Sequence, residues 1–296
     1  MKAWIDAFRL RTLPLAISSI LVGSALAHYH GRFQWPVFLL ALITAVLLQI
    51  LSNLANDLGD HLHGTDNDQR IGPVRSVQSG AISTAAMERA MLLVAILAFI
   101  SGLGLIVLAF GFSLTMLAFL LIGLLALGAA VKYTFGKNPY GYAGFGDVAV
   151  FIFFGLVGVI GSYYLHTESF HMITFMPAIA FGSLSAGVLN LNNLRDHNND
   201  KASGKRTMVV RMGFSRSLHY HAFLSFLPFI LLMQTVQRFL DNGWGYLFIV
   251  GFIPIAIHSY RVQSNDGKVP LDPELKRFAL GTFATAVTFS IGLLLS

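Results

Sequence analysis

The chain has 296 residues, 55% of them hydrophobic and only 11% charged, with a net charge of +6 and no cysteine. A mean hydropathy of +0.67, with apolar runs near bilayer length from end to end, excludes a soluble globular protein and implies an all-α, polytopic membrane protein. The missing cysteine excludes disulfides and thiol chemistry. The positive charge sits in short loops and so describes a membrane face: membrane lipid or an anionic substrate is the expected partner, and nucleic acid is not.

Hydropathy predicts nine spans, at about residues 13–30, 35–58, 87–110, 113–132, 147–165, 172–196, 217–237, 244–260 and 277–295, in one transmembrane domain over 1–296. Residues 2–11 and the apolar run ending Ala25-Leu26-Ala27 also resemble a secretory leader, but a first transmembrane helix with a basic cytoplasmic flank gives the same pattern. With the N-terminus inside, all of the 20 basic residues except Arg32 and Arg238 fall on the cytoplasmic side, as the positive-inside rule requires. The expectation is a multi-pass protein of the cell inner (plasma) membrane.

The second span ends in NLANDLGD, residues 53–60. On a helix Gln49, Asn53, Asn56, Asp57 and Asp60 fall at steps of three and four and share one face. The sixth span ends alike in NLNNLRDHNND, residues 190–200, where Asn190, Asn193, Asp196 and Asp200 repeat the spacing. The two stretches suggest a faint internal duplication with an offset near 137 residues.

A solvated helix end explains one such stretch. Two of them, each with Asn a turn ahead of the acids, point to convergence around divalent metal. If Asp57, Asp60, Asp196 and Asp200 met without a cation, repulsion would raise at least one carboxyl pKa strongly. Mg2+ suits carboxylate oxygens and keeps positions for water and phosphate. Helix-to-helix hydrogen bonding is the competing role for Asn53, Asn56 and Asn193, and the preferred one for Gln49 and Asn190.

The cytoplasmic loops 61–86 and 196–217 mix acids and bases; Asp66 and Asp68 are open between ligand and exposed loop. KYTFGKNPYGYAGFGD, residues 132–147, follows no strand, so its glycines are no dinucleotide fingerprint; a tight loop over the cytoplasmic cavity is expected. Gly155, Gly158, Gly161, Ala178, Gly182 and Ala186 are small residues at helical spacing, which close helix packing explains.

These motifs resemble those of the UbiA-superfamily intramembrane prenyltransferases, whose pattern is two Asp-rich motifs on the second and sixth of nine helices. The likeness covers essentially the whole chain. NLANDLGDHLHGTDNDQRIGPVRSVQSG, YTFGKNPYGYAGFGD and NNLRDHNNDKASGKRT are similar to the branch that prenylates 1,4-dihydroxy-2-naphthoate on the way to menaquinone. One departure is Gly64, where the superfamily often has a third Asp and where Asp66 stands nearby.

The resemblance implies Mg2+-dependent transfer of a polyprenyl group from polyprenyl diphosphate to 1,4-dihydroxy-2-naphthoate, with loss of diphosphate and CO2. By motif position, Asn53, Asp57, Asp60, Asn193, Asp196 and Asp200 would hold metal. Arg70, Arg75, Lys201, Lys205 and Arg206, with Asn56, would clamp diphosphate or carboxylate, and Lys132 and Tyr133 would orient the acceptor. Ordinary positive-inside charge competes for the basic residues. An aromatic-belt role is expected of Tyr140 and Tyr142, and a solvated one of His61, His63 and His197. A 4-hydroxybenzoate prenyltransferase is the alternative within the class. A secondary transporter would place its acids near the bilayer midplane rather than at cytoplasmic helix ends.

Overall fold

A computed structural model describes residues 1–67, 71–264, 266 and 268–296. Among these residues no strand forms, and nine helical segments are long and apolar enough to cross a membrane: Lys2–Tyr29, Trp35–Leu62, Thr84–Phe110, Leu114–Lys132, Gly146–Thr167, Met172–Arg195, Phe214–Phe239, Gly243–Ser264 and Leu271–Leu294, spans 1 to 9 hereafter. The chain is a multi-pass integral membrane protein.

Span boundaries move from the hydropathy estimate where local chemistry sets them. Ser83 accepts from the Ala86 N–H and Ser113 from the Met116 N–H, so N-caps start spans 3 and 4. Span 9 starts at Leu271 rather than near 277, because Asp272 and Glu274 in its first turn suit a helix N-terminus although hydropathy rejects them. Span 1 carries an unexpected break. A helix over Lys2–Phe8 ends at Arg9, which is left-handed (φ 50, ψ 59), before the helix Leu13–Tyr29 begins. That backbone is uncommon for a residue with a side chain, and it turns the chain sharply.

Span 6 is the hub, with 72% of its apolar window buried against 6% for span 4. It packs on spans 5, 7 and 9, and Phe181, Phe248, Phe278 and Phe289 are fully buried in that core. A Cβ on Gly155 would sit 2.5 Å from the Ala178 carbonyl oxygen and 2.8 Å from Gly182 Cα, so spans 5 and 6 approach at a distance only small residues permit. Span 5 is π-helical over Phe151–Gly161.

Span 2 turns Leu51, Leu54 and Leu58 toward Met87 and Met91 of span 3, which leaves Asn53, Asn56 and Asp60 facing the interior. Among spans 7, 8 and 9 a buried polar tie is added to the apolar core they share. His221 Nε2 lies 2.8 Å from His258 Nε2, and His258 Nδ1 lies 3.1 Å from Glu274 Oε2. Glu274 in turn pairs with Arg261 at 2.9 Å and with Arg277.

Candidate active site

A cavity of about 930 Å³ runs from the C-terminal ends of spans 2 and 6 into the apolar interior of the bundle. Asn56, Asp60, Asn192, Asn193, Asp196 and Asp200 line its polar end together with Arg9, Arg11, Arg75 and Lys205, and Phe119, Phe153, Phe154 and Tyr164 line its apolar part. The acid-bearing ends of the two spans therefore meet at one chamber.

On the span 2 side, Asp60 is 4% exposed. Its Oδ1 accepts from the Tyr142 hydroxyl at 2.9 Å and from Lys205 Nζ at 3.3 Å, and that ammonium lies 5.0 Å from the Tyr142 ring centroid. With its amide oriented to satisfy both neighbours, Asn56 donates to Asp60 Oδ2 at 2.5 Å and accepts from Arg9 Nη1 at 3.1 Å. Gly59 makes room for the loop that carries Tyr142: a Cβ there would lie 2.4 Å from the Thr134 carbonyl oxygen. The glycine-rich stretch accordingly lies against the acids, and the Arg206 N–H donates to the Tyr142 carbonyl at 3.0 Å.

On the span 6 side, Arg195 holds Asp196 through both carboxylate oxygens, Nε to Oδ1 at 2.9 Å and Nη2 to Oδ2 at 2.7 Å. It also reaches Asp272 of span 9 at 2.7 Å and Asn192 Oδ1 at 3.0 Å. Asn199 donates to the Thr65 carbonyl at 2.8 Å, and the Lys205 N–H to the Asp200 carbonyl at 2.8 Å. The loop after span 6 thus crosses to the acid of span 2.

Electrostatics keep the nearby ionisable groups in fixed states. Burial alone would lower the Lys205 pKa, but the carboxylates of Asp60 and Asp200 outweigh it and hold the ammonium above the ordinary lysine range. Burial, reinforced by Asp60, raises Tyr133 and Tyr142 well above the usual phenol range, and burial pushes Tyr140 up to about 12. Near neutral pH these groups are one ammonium and three neutral phenols.

Several expected placements are corrected. Asp57 is buried but does not line the main cavity. Its oxygens accept the backbone N–H groups of Ser76 and Val77, each at 3.2 Å, so it anchors the loop that carries Arg75. Asn53 reaches the cavity wall, yet its amide donates to the Phe8 carbonyl at 2.8 Å and to Thr12 Oγ1 at 3.0 Å, clasping the break in span 1. Gln49 donates to Asn53 Oδ1 at 3.2 Å within span 2 and lies 3.5 Å from Thr12 Oγ1 of span 1.

Lys132, Lys201 and Arg206 are exposed and do not line the cavity, because their side chains leave the helix end and loop on the solvent side. Tyr133 does line it. Tyr142 belongs to the site rather than to an aromatic belt. Arg70 and Asp68 lie outside the described residues. Asp66 pairs with Arg75 at 3.8 Å.

Sequence reasoning missed Arg9, Asn192 and Arg195. Arg9 and Arg195 look like ordinary flanking charge, whereas Asn192, four residues before Asp196 as Asn56 is before Asp60, was visible as a repeat.

Among the described residues no three His, Asp or Glu side chains gather closely enough to hold a metal ion by themselves. The cavity offers only hard oxygen donors, from Asn56, Asp60, Asn192, Asp196 and Asp200. Such a set fits Mg2+, which commonly takes one or two carboxylates and completes its shell with water and substrate phosphate.

Residues 16–277 match the model of the UbiA prenyltransferase family. The chain is 43% identical to the 1,4-dihydroxy-2-naphthoate octaprenyltransferase of Escherichia coli (strain K12), covering all of this chain and 96% of that protein. It is 39% identical to the protein of the same name from Haemophilus influenzae, with the same coverage. The fold resembles a UbiA homolog from Aeropyrum pernix K1, with a TM-score of 0.72, 16% identity, and 97% and 98% of the two chains covered. It also resembles a UbiA homolog from Archaeoglobus fulgidus bound to GPP and Mg2+, with a TM-score of 0.65, 17% identity, and 98% and 100% covered.

Proposed function

The chain belongs to the UbiA prenyltransferase family, and from that premise we propose that it transfers a polyprenyl group from its diphosphate to 1,4-dihydroxy-2-naphthoate. The observation that carries this reading is the single cavity that joins Asp60 and Asp196, with Lys205 and Arg75, to a long apolar chamber. That shape suits a substrate with a diphosphate head and a hydrocarbon tail. The names of the full-length relatives supply the acceptor.

Asn56, Asp60, Asn192, Asp196 and Asp200 would hold Mg2+ with the diphosphate. The ion, when bound, neutralises charge developing on the leaving oxygens. Lys205, Arg75 and Arg9 add fixed cations at the same end, where preorganised charge counts most. Breaking the allylic C–O bond sends its electron pair to diphosphate, and the apolar chamber keeps water from the allylic cation while aromatic faces such as Phe153 and Tyr133 stabilise it. The ring carbon bearing the carboxylate then bonds to the cation. The C–COO bond breaks, its electrons restore aromaticity and CO2 leaves, so no external base is required. This accords with Tyr133 and Tyr142 being held as neutral phenols. The positive-inside distribution of basic residues supports a chamber opening to the cytoplasm in the cell inner membrane.

The test is turnover by membranes containing the protein, supplied with a polyprenyl diphosphate, either 1,4-dihydroxy-2-naphthoate or 4-hydroxybenzoate, and Mg2+ or a chelator. Prenylated naphthoate and released CO2, both lost with chelator, are expected. Product from 4-hydroxybenzoate alone would overturn the acceptor assignment.

A further inference from the structure

A hydroxyl inside a membrane span commonly bonds to the helix that carries it. Thr44, Ser162, Ser225 and Thr282 each donate to the carbonyl four residues earlier, so none of them faces hydrocarbon as a bare polar group. Ser185 does not do this. It is 3% exposed and lines the chamber, yet among the described residues it has no hydrogen-bond partner. Asn193 shares that condition: it is 4% exposed, forms part of the chamber wall, and among the described residues neither end of its amide has a partner. The adjacent Asn192 differs, since its Oδ1 accepts from Arg195. Buried polar groups are normally bonded, so two that face a cavity unbonded are placed to meet what enters it.

The two lie on one face of span 6. Ser185, Val188, Leu189, Asn192, Asn193 and Asp196 fall at positions i, i+3, i+4, i+7, i+8 and i+11 and all line the chamber. Polar ends therefore enclose an apolar middle. Ser185 and Asn193 are eight residues apart, about 12 Å along the helix axis. Tyr133 reaches the same layer as Leu189, because a Cβ on Gly146 would lie 3.2 Å from Leu189 Cδ2 and 3.4 Å from the Tyr133 hydroxyl. That hydroxyl, too, has no hydrogen-bond partner among the described residues.

We propose that Ser185 and Asn193 bracket the aromatic acceptor along span 6, with Ser185 bonding the hydroxyl remote from the carboxylate and Asn193 donating to the carboxylate. The inference deepens the dihydroxynaphthoate reading above and rests on it. In that acceptor the two groups are about 6 Å apart, and a hydrogen bond of about 2.8 Å at each end brings the partner-to-partner distance to about 12 Å, the length of the seat. The fused ring then lies on Val188 and Leu189, beside Tyr133. This orientation brings the carbon that bears the carboxylate to the Asp196 end, where the allylic bond breaks. An amide suits that end, because it positions the carboxylate without the positive charge that would stabilise it against loss as CO2.

Acceptor fragments test the two ends separately, in nanodiscs supplied with Mg2+ and a polyprenyl diphosphate. Ser185→Ala should raise the KM for 1,4-dihydroxy-2-naphthoate by about tenfold, the upper scale of one neutral hydrogen bond. It should leave unchanged the inhibition constant of 1-hydroxy-2-naphthoate, which lacks the hydroxyl that Ser185 bonds. Equal rises for both compounds, or a rise for neither, overturn the role of Ser185.

Asn193→Asp keeps the shape of the side chain and adds a negative charge, to which a carboxylate-binding group and a metal ligand respond in opposite ways. The naphthoate KM should rise by about tenfold or more through like-charge repulsion. The inhibition constant of 1,4-dihydroxynaphthalene, which has no carboxylate, and the Mg2+ concentration giving half activity should both stay unchanged. A lower Mg2+ requirement with an unchanged naphthoate KM would make Asn193 a metal ligand and overturn the seat. A wild type that prenylates only 4-hydroxybenzoate removes the acceptor reading and the seat with it, whereas normal turnover of the naphthoate with variants that fail these tests removes the seat alone.

Discussion

The ends of spans 2 and 6 look alike in sequence and are held differently. The acid of span 2, Asp60, takes its cation from the other half of the molecule, Lys205, and a hydroxyl from the loop before span 5, Tyr142. The acid of span 6, Asp196, takes its cation from the adjacent residue, Arg195, which is itself braced by Asp272. One carboxylate is thus fixed by long-range packing and the other by its own neighbour. The difference teaches that equal motifs can share a chemical task while carrying unequal structural burdens.

The sharpest way to break that comparison is to remove each acid in turn. Asp60→Ala and Asp196→Ala should each lower kcat by about 100-fold or more, the scale of lost transition-state charge stabilisation. Asp60→Ala removes the one carboxylate that Lys205 is seen to bond directly and leaves Asp200 as the nearby acid; Lys205 is 8% exposed, and breaking a buried pair costs up to about 3–5 kcal/mol. Arg195 keeps Asp272 and Asn192. Thermal midpoints in detergent should therefore fall much further for Asp60→Ala, and equal falls would erase the asymmetry.

Next in size is Asp57→Asn, which weakens two charge-assisted bonds to the Ser76 and Val77 amides, each worth about 1.5–3 kcal/mol. Turnover should drop and the 73–77 loop should become sensitive to protease. The Mg2+ concentration giving half activity should stay unchanged; a large rise would return Asp57 to the metal. Tyr142→Phe loses the hydroxyl's bonds to Asp60 and Thr65 but keeps the ring beneath Lys205, so a penalty of about 1.5–3 kcal/mol is expected for the bond to the carboxylate, read as an equivalent fall in kcat/KM. Lys201→Ala and Arg206→Ala, both exposed, should stay within about 0.5 kcal/mol of wild type in stability and turnover.

The smallest effect concerns pH. A lysine with a raised folded pKa contributes stability that is complete below its unfolded value, about 10.4, and is lost only as pH rises through the still higher folded value. The phenols of Tyr133 and Tyr142, also raised, follow the same sign: their contribution is complete below the unfolded phenol value, about 10, and is lost as pH rises through the higher folded values. Neither class titrates between pH 6 and 9. An inflection there that vanished in Lys205→Arg or Tyr133→Phe would contradict the site electrostatics.

Much of this was legible in the sequence because charge in a membrane is expensive. Hydropathy marks the spans, and acids at apolar helix ends mark the chamber. The role of Asp57 was not legible. At about 100° per residue it lies about 60° from Asp60, at the edge of the polar face, and its partners Ser76 and Val77 come from a loop with no periodic signal. Arg9 depends on a left-handed turn that flanking charge does not announce. Tyr142 reads as a belt residue until Gly59 is seen to admit its loop beside the acids.

The imidazole contact joining spans 7 and 8 carries a consequence for hydrogen placement. If His258 is neutral and gives its Nδ1 hydrogen to Glu274, its Nε2 presents a lone pair, and His221 must then donate from Nε2 across the 2.8 Å separation. The tie among the last three spans is therefore directional, with donors pointing toward the carboxylate. Replacement by asparagine or glutamine is not symmetric: at 221 a single amide donor suffices, whereas at 258 the side chain must accept on one side and donate on the other.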